Sequence, residues 1–181
     1  TGEWSKPYND AGYEVLIVDP KVNGMTVEDT VILLKEATEL MPVHGVLAAP
    51  PCTAFSSSGA QHWSAKDASG ETTRLILVAR SCIELIQLVK PKWWALENPI
   101  GRMRKLVPEV GPVRLTFDPC DYGDPYTKRT QLFGEFNIPV KRPIAATLGS
   151  AVHRIGPSEA RQTLRSATPA GFARAFFEAN P

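Results

Sequence analysis

Long hydrophobic runs are missing from this 181-residue chain. No stretch reaches the roughly 20 apolar residues of a membrane-spanning helix, and nothing near the amino end has the basic-then-apolar pattern of a secretion signal. Cysteine is scarce: there are 3, an odd number that argues against a closed disulfide framework and for a reducing compartment. Cys52, Cys82 and Cys120 are also too scattered for zinc-ligand spacing. A large excess of one charge is absent too, the net value being +1, which on its face disfavours nucleic acid as a partner. The charge that is present is unevenly spread. Residues 1–101 carry 8 Lys/Arg against 12 Asp/Glu, and residues 102–181 carry 12 against 7, so the second part offers a basic surface suited either to phosphate or simply to solvent. Hydrophobic content of 43% and charged content of 22% are those of an ordinary globular protein long enough for one domain with a real core.

Within that ordinary composition, Ala48-Ala49-Pro50-Pro51-Cys52-Thr53-Ala54-Phe55-Ser56 stands out. Val43 to Ala49 reads as a buried strand and the small polar residues beyond it as a loop. Cys52 therefore falls just past the carboxyl end of a strand, where open α/β sheets place their ligands. Pro51 fixes the backbone before Cys52 and restricts Pro50, giving a stiff approach that aims a thiol. Cys82 lies instead within Leu75 to Ile86, a periodic apolar helix, and reads as a small core residue. Trp93-Trp94-Ala95-Leu96-Glu97-Asn98-Pro99 reads as a second short apolar strand that also ends in polar residues. Two such ends in one sheet present a thiol and a carboxylate to the same crevice; the plainer reading of Glu97 is a charge at a helix start.

Pro50-Pro51-Cys52 and Leu96-Glu97-Asn98, in that order, resemble the nucleophile and Glu-Asn motifs of the DNA cytosine C5-methyltransferases, in particular short phage-like members. The resemblance implies an α/β, Rossmann-like S-adenosylmethionine-dependent methyltransferase fold, a mostly parallel sheet with helices on both faces, with residues 1–181 as a single catalytic domain. It implies S-adenosylmethionine as cofactor and DNA as partner, as a duplex with a flipped cytosine or as a single strand, in the cytoplasm of a bacterial or phage-infected cell. By the same resemblance, Cys52 thiolate adds to carbon 6 of cytosine while Glu97 protonates the ring nitrogen at position 3, and carbon 5 then takes the methyl group. A thiol with an ordinary pKa of about 8.5 needs activation for this, and a base inside a duplex must first be flipped out.

Glu3 to Ala11 reads as a short helix stopped by Gly12, and Tyr13 to Val18 as a strand ending at Asp19. This order matches the second half of a nucleotide-binding βαβ unit, and the first strand with its Gly-rich turn is expected before Thr1. The resemblance implies that Gly2, Glu3 and Trp4 represent that turn against the methionine portion of the cofactor. It further implies that Asp19 accepts from the ribose hydroxyls, that Asp29 lies near the adenine, and that Pro50 and Ser166 complete the cofactor site. Asp29 equally suits a helix N-terminus. Asn23-Gly24 reads as a turn, Met25 to Val27 as a short strand, and Val31, Leu33, Leu34, Ala37 and Leu40 as one helix face ended by Pro42. Phe55 to Gly70 reads as a long loop, which in the family closes over DNA; His62 is a DNA contact there at most. Glu71 then opens a helix that runs to Lys90 and is stopped by Pro91.

Gly101 to Lys105 is basic and opens another helix, and Phe117 to Asp124 reads as a turn between strands. Thr127 to Gly134 resembles the family's Gln-x-Arg-x-Arg motif, with Arg129 on the first Arg and Gln131 on the second. Contact with the cytosine carbonyl then falls to Arg129, our assignment, or to Lys128 or Gln131. Arg165 to Phe172 resembles the last motif and leads into a helix from Ala170 to Glu178. Between these motifs lie only the 30 residues 135–164, where the family carries a target-recognition domain. They are too few for a separate core, so recognition is short or loose, or comes from an accessory subunit. Gln131 and the short insert also fit a catalytically inert nucleic-acid-binding or accessory subunit, and a modified sulfonium cofactor would keep the chemistry while changing the group transferred.

Overall fold

A computed structural model describes residues 2–22, 24–36, 42–150 and 166–181. Of the sequence expectations, those on Thr1, Asn23, Ala37, Leu40 and Arg165, and on the insert from residue 151 onward, lie outside the described residues. The elements are α1 (Lys6–Asp10), α2 (Val27–Glu36), β1 (Gly45–Ala48), α3 (Trp63–Ala68), α4 (Glu71–Val89), β2 (Trp93–Pro99), α5 (Met103–Leu106), β3 (Val113–Phe117), β4 (Thr130–Glu135) and α6 (Ala170–Ala179). Short 3₁₀ turns cover Ser57–His62, Pro108–Val110 and Pro119–Tyr122. The four described strands form one sheet in the order β1-β2-β4-β3. The chain folds as two compact units, one of Thr1–Leu16, Thr116–Thr130 and Asn137–Pro181, the other of Ile17–Leu115 and Gln131–Phe136.

The second unit is organised by α4. Leu75, Ala79, Ile83 and Ile86 recur at helical spacing and are buried, and they pack in one core with Ala48, Phe55, Leu96, Met103, Val107 and Phe133. The helix closes at Lys90, whose N–H donates to Ile86 O at 3.0 Å in a left-handed cap, φ 46°, directly before Pro91. A 19-residue helix is the long crossover that parallel neighbours require, and β1 pairs parallel with β2, Gly45 opposite Trp93 and Ala48 opposite Leu96. Gly45 has to be glycine because a Cβ there would lie 2.1 Å from the Trp93 ring.

The expectation of a mostly parallel sheet is corrected. Parallel pairing is found between β1 and β2, while the sheet as a whole is mostly antiparallel. The physical reason is the connection: residues 118–129 between β3 and β4 hold a single 3₁₀ turn and no helix, which is too little for a parallel crossover. Two expected strands are also absent. Tyr13 to Val18 is not a strand among the described elements, and Tyr13, Glu14, Leu16 and Ile17 are exposed, Leu16 by 71%; a run left so largely in solvent lacks the half-buried pleated surface that favours a strand. Met25 and Thr26 instead lead into α2, whose first residue is Val27. Thr26 caps it, its Oγ1 accepting from Asp29 N–H at 3.0 Å while the Asp29 carboxylate accepts from Thr26, a reciprocal box that outweighs the β-preference of three residues.

The first unit is built on aromatic packing. Phe172 stacks on Phe117 with ring centres 3.9 Å apart, meets Tyr122 at 5.1 Å and Trp4 at 6.1 Å. Trp4 also meets Phe176 at 5.5 Å, and Tyr8 meets Phe177 at 4.9 Å. The Tyr8 hydroxyl donates to Asn180 O at 2.8 Å, tying α1 to the end of α6. The turn at Pro119–Tyr122 is fixed by a capping box between Asp118 and Asp121, so the expected turn between strands is present and specific.

Candidate active site at two strand ends

The parallel register builds the site. Ala48 is the last paired residue of β1 and faces Leu96; β2 runs on through Glu97 to Pro99, so Glu97 and the Pro50-Pro51-Cys52 segment both lie toward the carboxyl edge of this strand pair. Asn98 is fully buried and its Nδ2 donates to Pro50 O at 3.4 Å, joining the residue after Glu97 to the chain two residues before Cys52. Cys52 is half-buried, and its carbonyl accepts N–H groups from Phe55 at 2.9 Å and Ser56 at 2.8 Å, which closes a tight turn behind the thiol. Glu97 is half-buried as well. Cys82 carries no such chemistry: burial pushes its thiol up to about 12.

Beyond the turn the two strand ends stay clamped. Ser57 N–H donates to Ile100 O at 2.9 Å and Arg102 N–H to Phe55 O at 2.8 Å, and Gly101 sits so close that a Cβ would fall 1.9 Å from Phe55 O. Residues 57–68, expected as an open loop, are folded into a 3₁₀ turn and α3. Their anchor is Arg102, which donates from Nε to Ala54 O at 2.8 Å, from its two terminal nitrogens to Asp67 at 2.8 and 2.6 Å, and to Thr72 Oγ1 at 3.1 Å. The Arg102 hydrogen bonds first, and then one that Thr72 Oγ1 donates to Asp67 at 2.6 Å, hold the Asp67 carboxyl down to about 2. Glu71 accepts from Thr53 Oγ1 at 3.3 Å and pairs with Lys66, whose hydrogen bond also lowers the Glu71 pKa.

No family model matches the chain, and neither does any curated protein. Among solved structures, a candidate DNA modification methyltransferase encoded within a prophage of E. coli is similar at 18% identity and TM-score 0.40, over 68% of this chain and 38% of that one.

The other expected residues divide between the units. Asp19, Asp29, Pro50, Cys52 and Glu97 belong to the second unit; Gly2, Glu3, Trp4, Arg129 and Ser166 belong to the first. Asp19 stands at the start of a turn, accepting Lys21 N–H on its carboxylate at 2.8 Å and Val22 N–H on its carbonyl at 2.9 Å. Asp29 serves the α2 cap. Trp4 is 6% exposed, its ring committed to Phe172 and Phe176, while Glu3 and Ser166 are exposed. Arg129 is largely exposed and donates from Nε to Asp118 at 2.7 Å. A cleft of about 280 Å³ in the first unit is lined by Tyr122, Asp124, Arg142 and Arg174 among others, and none of the expected cofactor residues lines it. Sequence reasoning missed Arg102 and Asp67, because a basic run opening a helix gives no sign that one of its members turns inward.

Proposed function

We propose that the chain transfers a methyl group from S-adenosylmethionine to carbon 5 of cytosine in DNA, with Cys52 as nucleophile and Glu97 as acid. The observation that supports this reading is the shared edge: the parallel pairing of Ala48 with Leu96 and the Asn98 bond to Pro50 O join the segment that carries Cys52 to the strand that carries Glu97. The β1–α4–β2 crossover is the part of a Rossmann-like methyltransferase fold on which the reading rests.

Of the residues expected around the cofactor, Asp19 has the right chemistry, a carboxylate able to accept from paired hydroxyls. Trp4 does not fit, since its ring is used in packing. When bound, the cofactor supplies an electrophilic methyl on a sulfonium sulfur. The chain supplies the rest. Cys52 thiolate adds to carbon 6, moving the ring electrons toward nitrogen 3, where Glu97 delivers a proton. Carbon 5, now nucleophilic, would take the methyl, with the carbon–sulfur bond broken to leave a neutral thioether and the nitrogen 3 proton returned to Glu97; a base then removes the carbon 5 proton, and the electron pair returned to the ring expels Cys52 as thiolate. Arg129, fixed by Asp118, is our assignment for holding the cytosine carbonyl. In this reading residues 1–181 are one catalytic domain, and DNA enters with the base flipped or as a single strand.

DNA carrying 5-fluorocytosine tests the proposal, because fluorine does not leave as a proton does. With S-adenosylmethionine present, a stable protein–DNA adduct is expected on denaturing gels and lost in Cys52→Ser. S-adenosylmethionine binding with no adduct on duplex or single-stranded DNA would reject the proposal in favour of an inert nucleic-acid-binding subunit, a reading that Gln131 at the second Arg position supports.

A further inference from the structure

We propose that Arg102 is a positioning residue for Cys52, fastening the turn that carries the thiol to the corner between α3 and α4. One guanidinium meets three different elements. Its Nε holds Ala54 O at 2.8 Å, its two terminal nitrogens grip Asp67 in a fork, and one of them reaches Thr72 at the start of α4. Its plane lies 4.5 Å over the Trp63 ring, and only 12% of the side chain is exposed. Ala54 is two residues past Cys52, inside the turn whose N–H groups close on Cys52 O. The backbone of Arg102 holds the same turn from the other side through Phe55 O at 2.8 Å. Glu71, with Lys66, ties the neighbouring Thr53 to the same corner.

A rigid planar fork is needed to hold a carbonyl on one edge and a carboxylate on another. Lysine is a single point charge and satisfies one or the other. If Arg102 served only to anchor α3, lysine would replace it; if it sets the thiol, lysine would not. Arg102 acts through Ala54 and Asp67, without touching a reacting atom. The catalytic part of this inference rests on the methyl-transfer reading of Cys52, and the positional part does not.

The test uses the full chain with Arg102→Lys and Asp67→Asn. Iodoacetamide labelling of Cys52 is followed by peptide mass, with Cys120 as reference. In Arg102→Lys we expect the thermal midpoint to hold within a few degrees while Cys52 labelling rises about tenfold through local opening of the turn and Cys120 labelling stays constant. Methyl transfer is expected to fall about 100-fold in kcat, with KM for DNA nearly unchanged. Wild-type labelling and kcat in Arg102→Lys would overturn the proposal. Should Arg102→Lys not fold, Asp67→Asn gives the same comparison: it keeps the Ala54 bond but loosens its anchor, with labelling expected about threefold above wild type and unchanged labelling counting against. If the wild-type protein transfers no methyl group, the proposed function fails and the labelling still decides the role of Arg102.

Discussion

Asn98 illustrates how a fully buried polar residue can add little to stability. It has no exposed surface, its Nδ2 makes a 3.4 Å bond to Pro50 O, and its Oδ1 has no hydrogen-bond partner. An unpaired buried oxygen costs about as much as a good hydrogen bond returns. Asn98→Leu is therefore expected to change the free energy of urea unfolding by no more than about 1 kcal/mol while sharply lowering the yield of the 5-fluorocytosine adduct. A large stability loss with an unchanged yield would contradict this. The positions of Cys52, Glu97 and Asn98 toward the carboxyl ends of β1 and β2 were legible, because strand ends rich in proline and polar residues follow from local composition. Arg102 was illegible for the opposite reason. Its partners Ala54, Asp67 and Thr72 lie 30 to 48 residues away, and no local pattern announces them.

Among the elements, those whose stability is local were the readable ones. The apolar period of α4, its proline stop, β1, β2 and α6 all lie within about two residues of where periodicity and punctuation put them. Tyr13 to Val18 was misread because a strand is defined by its neighbour, which the segment itself does not encode. Residues 57–68 looked like an open loop from their Ser, Gly and Ala, and become a folded corner through the Arg102 and Glu71 contacts. The bridge between Ser56 and Gly101 locks this corner to the Glu97 strand, and it tolerates no side chain. Gly101→Ala, with its new carbon 1.9 Å from Phe55 O and 2.9 Å from Ser57 N, is expected to lose about 3 kcal/mol of stability. Urea titration measures it, and a loss under about 0.5 kcal/mol would show that the bridge is soft.

At the scale of the whole molecule, the sheet order β1-β2-β4-β3 was out of reach of local reading, since the last strand inserts between two earlier ones. The first unit is likewise assembled from three separate segments of the chain. Its stability rests on few rings. Phe172, 1% exposed and in contact with Phe117, Tyr122, Trp4 and Phe176, is expected to cost about 3–5 kcal/mol when cut to alanine. Trp4 fluorescence and urea unfolding follow that loss together, and an unaltered unfolding midpoint would place the strength of the unit elsewhere. The bond from the Tyr8 hydroxyl to Asn180 O spans 172 positions, and this has a consequence in time as well as in space. A ribosome adding roughly 5–20 residues per second delivers the α6 partners of Trp4 and Tyr8 roughly ten to thirty seconds after those rings emerge. For that interval the newborn chain carries Trp4 and Tyr8 without the α6 rings that cover them, a feature chaperones are able to recognise.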